Sequence, residues 1–206
     1  MSVRNKIKFV RDCARDVKNK LKLKTVVLAA KRRGDIQKRM DEFNMLFQQC
    51  EGCSVLDIGC YDGLIAYEFF RNGVSEIHGI DNDAYHLDTA ERIFSQVPIP
   101  SKFVHADLRK KKAIQSALGE SLKPTYDIVL FLGVFQHVYR QMSEETKQEL
   151  VDTLVNASNS LLAIRIPDHS WSEFEKYFDT KQFALLQRTK QKGNVGEFRI
   201  YQRKRD

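Results

Sequence analysis

SVLDIGCYDGLIAYEFF, residues 54–70, joins a short apolar run to an Asp-x-Gly-x-x-x-Gly turn and a second apolar run of different period. Ser54 to Ile58 is short, apolar and β-branched, and it stops at Gly59, which predicts a buried strand ending in a turn. From Leu64 the apolar residues Leu64, Ile65, Phe69 and Phe70 recur at helical spacing as far as the Asn72-Gly73 stop. The unit is therefore a strand, a tight turn and a helix. In a doubly wound sheet, ligands bind beyond the carboxyl ends of the strands, and the first turn meets them with backbone. Glycine is needed where that backbone comes close, so Gly59 and Gly63 are the expected points of approach. Asp57, at the strand end, needs donors or a cation if it is to stay charged there. On its own such a turn also fits a plain structural corner.

Three more strands follow. EIHGIDND, residues 76–83, predicts a strand from Glu76 to Ile80 ending in Asp81, where this architecture places an acceptor for ribose hydroxyls. KFVHADL, residues 102–108, leads to Asp107. YDIVLFLGV, residues 126–134, is apolar on both faces, as a central parallel strand should be.

With VLDIGCYDG, HGIDND, HADL, YDIVLFLGVFQHV and SLLAIRIP in this order, the chain resembles the class I S-adenosylmethionine-dependent methyltransferases over roughly residues 52–167. The resemblance implies an α/β, doubly wound, Rossmann-like seven-stranded sheet with its last strand antiparallel. It implies S-adenosyl-L-methionine as cofactor and S-adenosyl-L-homocysteine as product. By the same resemblance Asp57, Gly59 and Gly63 would border the methionine moiety. Asp81, with Asn82 beside it, would take the ribose hydroxyls. Asp107, with the backbone of Ala106 and Leu108, would face the adenine, and Gly133 would line the methyl-transfer face. The family usually has a third glycine where this chain has Tyr61, and the ring is expected over the methionine end of the cofactor or the acceptor pocket, or else packed on the following helix.

A chain of 206 residues is long enough for one core of this size and too short for a second full domain. Its longest apolar run, Ile128 to Phe135, is far below a membrane span, and no apolar signal core stands among residues 1–24. Cys13, Cys50, Cys53 and Cys60 are too few and too uneven for a disulfide framework, which points to the cytoplasm. CEGC at 50–53 has metal or redox spacing but lacks a second Cys/His pair, so two ordinary thiols and no metal are expected.

Charge divides the chain at residue 33. Residues 1–33 hold twelve Lys/Arg and two Asp/Glu, a net +10 against +7 for the whole chain. Val3, Ile7, Val10, Ala14, Val17 and Leu21 fall on one stripe of a helix, giving a basic amphipathic arm ahead of a methyltransferase domain at 34–206. Such an arm suits an anionic membrane surface, RNA phosphates or a partner, or simply packs on its own domain. Phe9 is its only aromatic, too few for a base-stacking platform. Gly34 and Asp35 are expected to cap a helix in DIQKRMDEFNMLFQQC beside the first strand. Further on, Ser143 is a predicted N-cap, WSEFEKYFDTKQF a predicted helix, and ALLQRTKQ with GEFRIYQRK a hairpin around Gly193-Asn194.

A sulfonium methyl is already electrophilic, so the protein's task is to hold a nucleophile in line and exclude water. For a hydroxyl acceptor a base helps, and His137, four residues beyond Gly133, is the first candidate. His169 is the second, and Asp168 is placed to orient either. No Asn/Asp-Pro-Pro-aromatic segment follows the fourth strand, and no Pro-Cys pair, which argues against base-flipping amino methylation and cytosine C5 chemistry. The leading expectation is O-methylation of a small-molecule, lipid-linked or glycan acceptor, with the arm on the inner face of a membrane. The alternatives are an RNA (tRNA) methyltransferase and a catalytically silent cofactor-binding module.

Overall fold

The computed structural model describes residues 40–190 and 196–204. Its strands are β1 (Ser54–Ile58), β2 (Glu76–Asp81), β3 (Ser101–His105), β4 (Tyr126–Leu132), β5 (Ser158–Ile166), β6 (Phe183–Lys190) and β7 (Glu197–Arg203). They form one sheet in the order β3-β2-β1-β4-β5-β7-β6. The first five are mutually parallel where they pair, and β7 is antiparallel to both of its neighbours. The strand order reverses between β1 and β4. That is the crevice where such sheets take ligands.

Every residue of β1 is buried, because both faces of the sheet are covered. Val55, Ile77, Ile128, Leu130 and Ala163 face α1 (Asn44–Phe47), α2 (Leu64–Arg71) and α3 (Ala84–Phe94). Leu56, Ile58, Val129, Phe131, Leu162 and Ile164 face α4 (Ala113–Glu120), α6 (Glu144–Ala157) and α7 (Trp171–Phe174), while the short α5 (Phe135–Val138) follows β4. Successive residues of one strand thus serve opposite cores.

Ser143 caps α6 as its sequence predicts, its Oγ accepting from the Thr146 N–H at 3.2 Å, with Glu144 and Glu145 in the first turn. The helix expected across WSEFEKYFDTKQF is only one turn long. It stops at Phe174, and further along Asp179 adopts an extended conformation and caps the 3-10 turn Thr180–Gln182 by accepting from Lys181 N. In this path Phe178 and Phe183 both meet Tyr201 of β7, while Phe174 packs on Phe178. Side-chain packing outweighs local helical spacing here. β3 ends at His105, so Asp107 stands two residues beyond the strand. Residues 40–47 are helical, entering through the 3-10 turn Asp41–Phe43. The arm at 1–33, the Gly34-Asp35 cap and the Gly193-Asn194 turn lie outside the described residues.

Candidate functional site

The turn after β1 is held over the end of β2, with the Gly59 and Cys60 N–H groups both donating to Ile80 O, at 2.7 and 3.1 Å. Gly59 has φ 83°, and a Cβ there would lie 2.1 Å from Val134 Cγ2. Only glycine admits the loop after β4 so close. Gly63 has φ 70°, and its absent Cβ would meet Ala90 Cβ at 2.8 Å. Its missing side chain lets α2 pack closely on α3. Tyr61 takes φ 50° without being glycine. That conformation costs about 1 kcal/mol or more, so something must hold it.

Asp81 is the keystone between the first two turns. One carboxylate oxygen accepts from Tyr61 N–H at 2.8 Å and the other from Asp83 N–H at 2.9 Å. Each oxygen keeps acceptor capacity for a further donor, so the group can bind a pair of hydroxyls without giving up its own supports. Asn82 is exposed, and its carbonyl accepts from or faces His105 Nε2 at 3.0 Å. The Tyr61 ring lies on His86 of α3, with centroids 3.5 Å apart, and not on the helix that directly follows it.

Asp57 is 2% exposed. Burial, and then the charge of Asp81, push its carboxyl up to about 7. Since this lies above the ordinary carboxylate value, the stability it contributes is present at low pH and is lost as pH rises towards 7. Asp57→Asn should flatten that loss and, without ligand, raise stability at pH 8 by on the order of 2 kcal/mol. Thermal melts of both proteins from pH 4 to pH 8 check this, and parallel curves would exclude it. A cationic ligand beside Asp57 would favour its ionised form.

At the end of β3, Ala106 N–H donates to Asp81 O at 2.9 Å, and Ala106 and Leu108 are buried. The Asp107 carboxylate is already gripped by the Arg109 guanidinium, at 2.8 and 2.9 Å, which holds it below the usual range. Arg109 also donates to Gln141 Oε1 at 3.1 Å. At the end of β4, Gly133 has φ 72°, and a Cβ there would meet among the described residues only Gln136 Nε2, in ordinary contact at 3.7 Å. Gln136 Nε2 donates to Gly133 O at 2.8 Å, while Gln136 Oε1 is buried without a partner among the described residues.

His137 is exposed, in α5, and its ring bonds to no described residue. His169 is exposed in the 3-10 turn after β5. Asp168 orients neither histidine, because its carboxylate accepts from Lys190 Nζ at 3.0 Å.

Two pairs escaped the sequence reading. Asp62, 1% exposed, bonds His86 Nδ1 at 2.6 Å. Glu42, 5% exposed, pairs with Arg165, which is 2% exposed. The partners lie far apart in sequence, and the only signal was a second acid in the turn and an arginine inside an apolar strand. The CEGC thiols are structural: Cys50 Sγ donates to Phe47 O and Asn72 O, Cys53 Sγ to Gln49 O. Burial, with Cys53 adding, pushes the Cys50 thiol up to about 11, far from a reactive thiolate.

The donor set fits S-adenosylmethionine: a carboxylate with spare acceptor capacity where a ribose would lie, a second acid for cationic groups, and no side chain at Gly133. Residues 55–156 match the family described as "Methyltransferase domain". Among solved structures, the chain is similar to magnesium protoporphyrin IX methyltransferase from Synechocystis with bound SAM, at 15% identity and TM-score 0.62, over 82% of this chain and 79% of that one. It is similar to a TehB-like SAM-dependent methyltransferase from Corynebacterium glutamicum, at 17% identity and TM-score 0.54, over 75% of this chain and 82% of that one. It also matches the bifunctional kinase-methyltransferase WbdD, at 15% identity and TM-score 0.58, over 82% of this chain and 40% of that one. At these identities the likeness is one of fold. No curated protein matches the sequence significantly.

Proposed function

Since the chain belongs to the class I S-adenosylmethionine-dependent methyltransferases, we propose that it methylates a hydroxyl of a small-molecule, lipid-linked or glycan acceptor. The observation that supports the cofactor side of this reading is Asp81, whose two carboxylate oxygens are held by the Tyr61 and Asp83 N–H groups and keep acceptor capacity for the ribose hydroxyls. When bound, the cofactor supplies a methyl carbon already activated by the sulfonium. The chain's residues do the rest. Asp81 and Asn82 hold the ribose, Asp57 and the Gly59 turn face the methionine end, and Ala106 to Leu108 border the adenine. Asp107 reaches a ligand only by sharing the carboxylate that Arg109 now holds. Gly133 leaves the space in which the acceptor oxygen comes into line.

His137 is the proposed base. Its ring is exposed and bonds to no described residue, which suits a group that meets an acceptor and does not suit a histidine that pins a helix. His137→Ala should lower turnover by about 10² with cofactor affinity nearly unchanged. A parallel loss of cofactor binding and thermal stability would remove it from the mechanism, leaving His169 to be tested in the same way.

The acceptor class is decided by incubating a cell extract with the full chain and isotopically labelled S-adenosylmethionine, then sorting RNA, lipid, glycan and small-molecule fractions by mass spectrometry. Label in a hydroxyl of the last three supports the proposal, and label in RNA replaces it with the RNA reading. The same assay on Ile7→Ser/Val10→Ser/Val17→Ser shows whether the arm brings the domain to an anionic membrane. Apolar insertion and charge act together there, so a lipid-borne acceptor should lose its label in that variant. Label in no fraction would favour a silent cofactor-binding module. Among the described residues no helix is long and apolar enough to cross a membrane.

A further inference from the structure

We propose that Tyr61, His86 and Asp62 form a clamp that takes the place of a glycine in the cofactor turn, and that His86 is a positioning residue for the ribose acceptor Asp81. The inference rests on the cofactor-site reading above and adds a role for two residues outside it. Its geometry is a closed circuit. Tyr61 N–H donates to Asp81 Oδ2 at 2.8 Å, and the direction of that N–H depends on the left-handed conformation of Tyr61. The Tyr61 ring, 53% exposed, rests on His86 at 3.5 Å between centroids with the planes 31° apart. His86 Nδ1 bonds Asp62, the next residue of the same turn, at 2.6 Å. On its other side His86 Nε2 lies 3.8 Å from Asp83 Oδ2. Asp83 caps α3 by accepting from the Tyr85 and His86 N–H groups at 2.9 and 3.3 Å, and its own N–H returns to Asp81 Oδ1 at 2.9 Å.

A glycine at position 61 would adopt this backbone without help, so it would need no such partner. A tyrosine there resists it, and the turn relaxes towards negative φ unless the ring is held. The imidazole supplies the holding surface, and the buried Asp62 carboxylate fixes the imidazole from inside the turn. Along this circuit Asp62 and His86 contact each other, Tyr61 and Asp83. They act on cofactor binding through Tyr61 and Asp81.

The test is a double-mutant cycle read by calorimetric titration with S-adenosylhomocysteine, with thermal melts alongside. In the native background His86→Ala should weaken binding about ten-fold, because it frees the strained residue that aims a hydrogen bond at Asp81. In the Tyr61→Gly background the same change should weaken binding about two-fold or less, since glycine keeps the turn unaided. A histidine that merely stabilises α3 would impose equal penalties in both backgrounds, and equal penalties overturn the clamp. So does the absence of any penalty in the native background. If His86→Ala does not fold, His86→Gln replaces it in the cycle: its amide still donates to Asp62 but offers Tyr61 no aromatic face, and the same inequality is expected. A native chain that binds no S-adenosylhomocysteine overturns the cofactor-site reading itself, and the clamp with it.

Discussion

Asp81→Ala should weaken S-adenosylhomocysteine binding by about 10² or more, the largest effect expected of any single change at the cofactor site. Two contributions add. The carboxylate's bonds to ribose hydroxyls are charge-assisted, together worth roughly 1.5 to 3 kcal/mol. The same carboxylate also holds the N–H groups of Tyr61 and Asp83, so its loss releases both turns that frame the site. The contributions separate with an analogue of the product lacking both ribose hydroxyls. The native protein should bind that analogue much more weakly than the parent ligand, and Asp81→Ala should discriminate little between them. Calorimetry showing the variant as sensitive to the missing hydroxyls as the native protein would place the ribose elsewhere, and an unchanged affinity for the parent ligand would sink the site assignment altogether.

That this residue could be singled out from sequence, while its neighbours could not, has a physical reason. Asp57, Asp81 and the acid after β3 are each local endings of a strand, and strand endings are legible from apolar runs and turn residues alone. The doubly wound sheet, its antiparallel last strand and the Ser143 cap likewise follow from local pattern plus the resemblance, whereas the place of β7 between β5 and β6 comes from the structure alone. What depends on the register between elements was not legible. Gly63 reads as a ligand contact in sequence, yet its space is filled by Ala90 of a helix beginning about twenty residues later. Asp62 reads as one more turn residue until α3 brings His86 to it. Asp107 reads as an adenine neighbour, and the Arg109 guanidinium two residues on already occupies its carboxylate. The helix predicted across 171–183 stops at Phe174 for the same reason, since beyond it Phe178 and Phe183 pack on Tyr201 of a strand distant in sequence.

The Glu42–Arg165 pair carries the largest expected effect on stability. Arg165 lies inside β5, in register with Leu132 of β4, and its carbonyl accepts the Gly133 N–H at 2.8 Å. Its guanidinium stands over the rings of Phe43 and Phe198, 5.4 and 5.0 Å from their centroids, with Glu42 as its carboxylate partner. The pair therefore ties the helical segment before β1 to the sheet directly behind the proposed methyl-transfer face. Breaking a buried ion pair by removing one partner costs about 3 to 5 kcal/mol, because the remaining charge has lost its compensation. Glu42 Oε1 is itself buried without a partner among the described residues, so deleting the side chain also removes a penalty. Glu42→Ala should accordingly sit at the low end, about 3 kcal/mol by denaturant unfolding. Replacing both residues, as Glu42→Met with Arg165→Met, should recover most of that loss, since a buried pair exchanged for apolar side chains of similar volume is commonly neutral or stabilising. If recovery comes with normal cofactor affinity but slowed methyl transfer, the pair's value lies in how it aligns the end of β4, which stability alone would never reveal. If Glu42→Ala stays within about 1 kcal/mol of the native protein, the ion pair does not hold the segment at 40–47 on the sheet in solution, and its role in stability has to be given up.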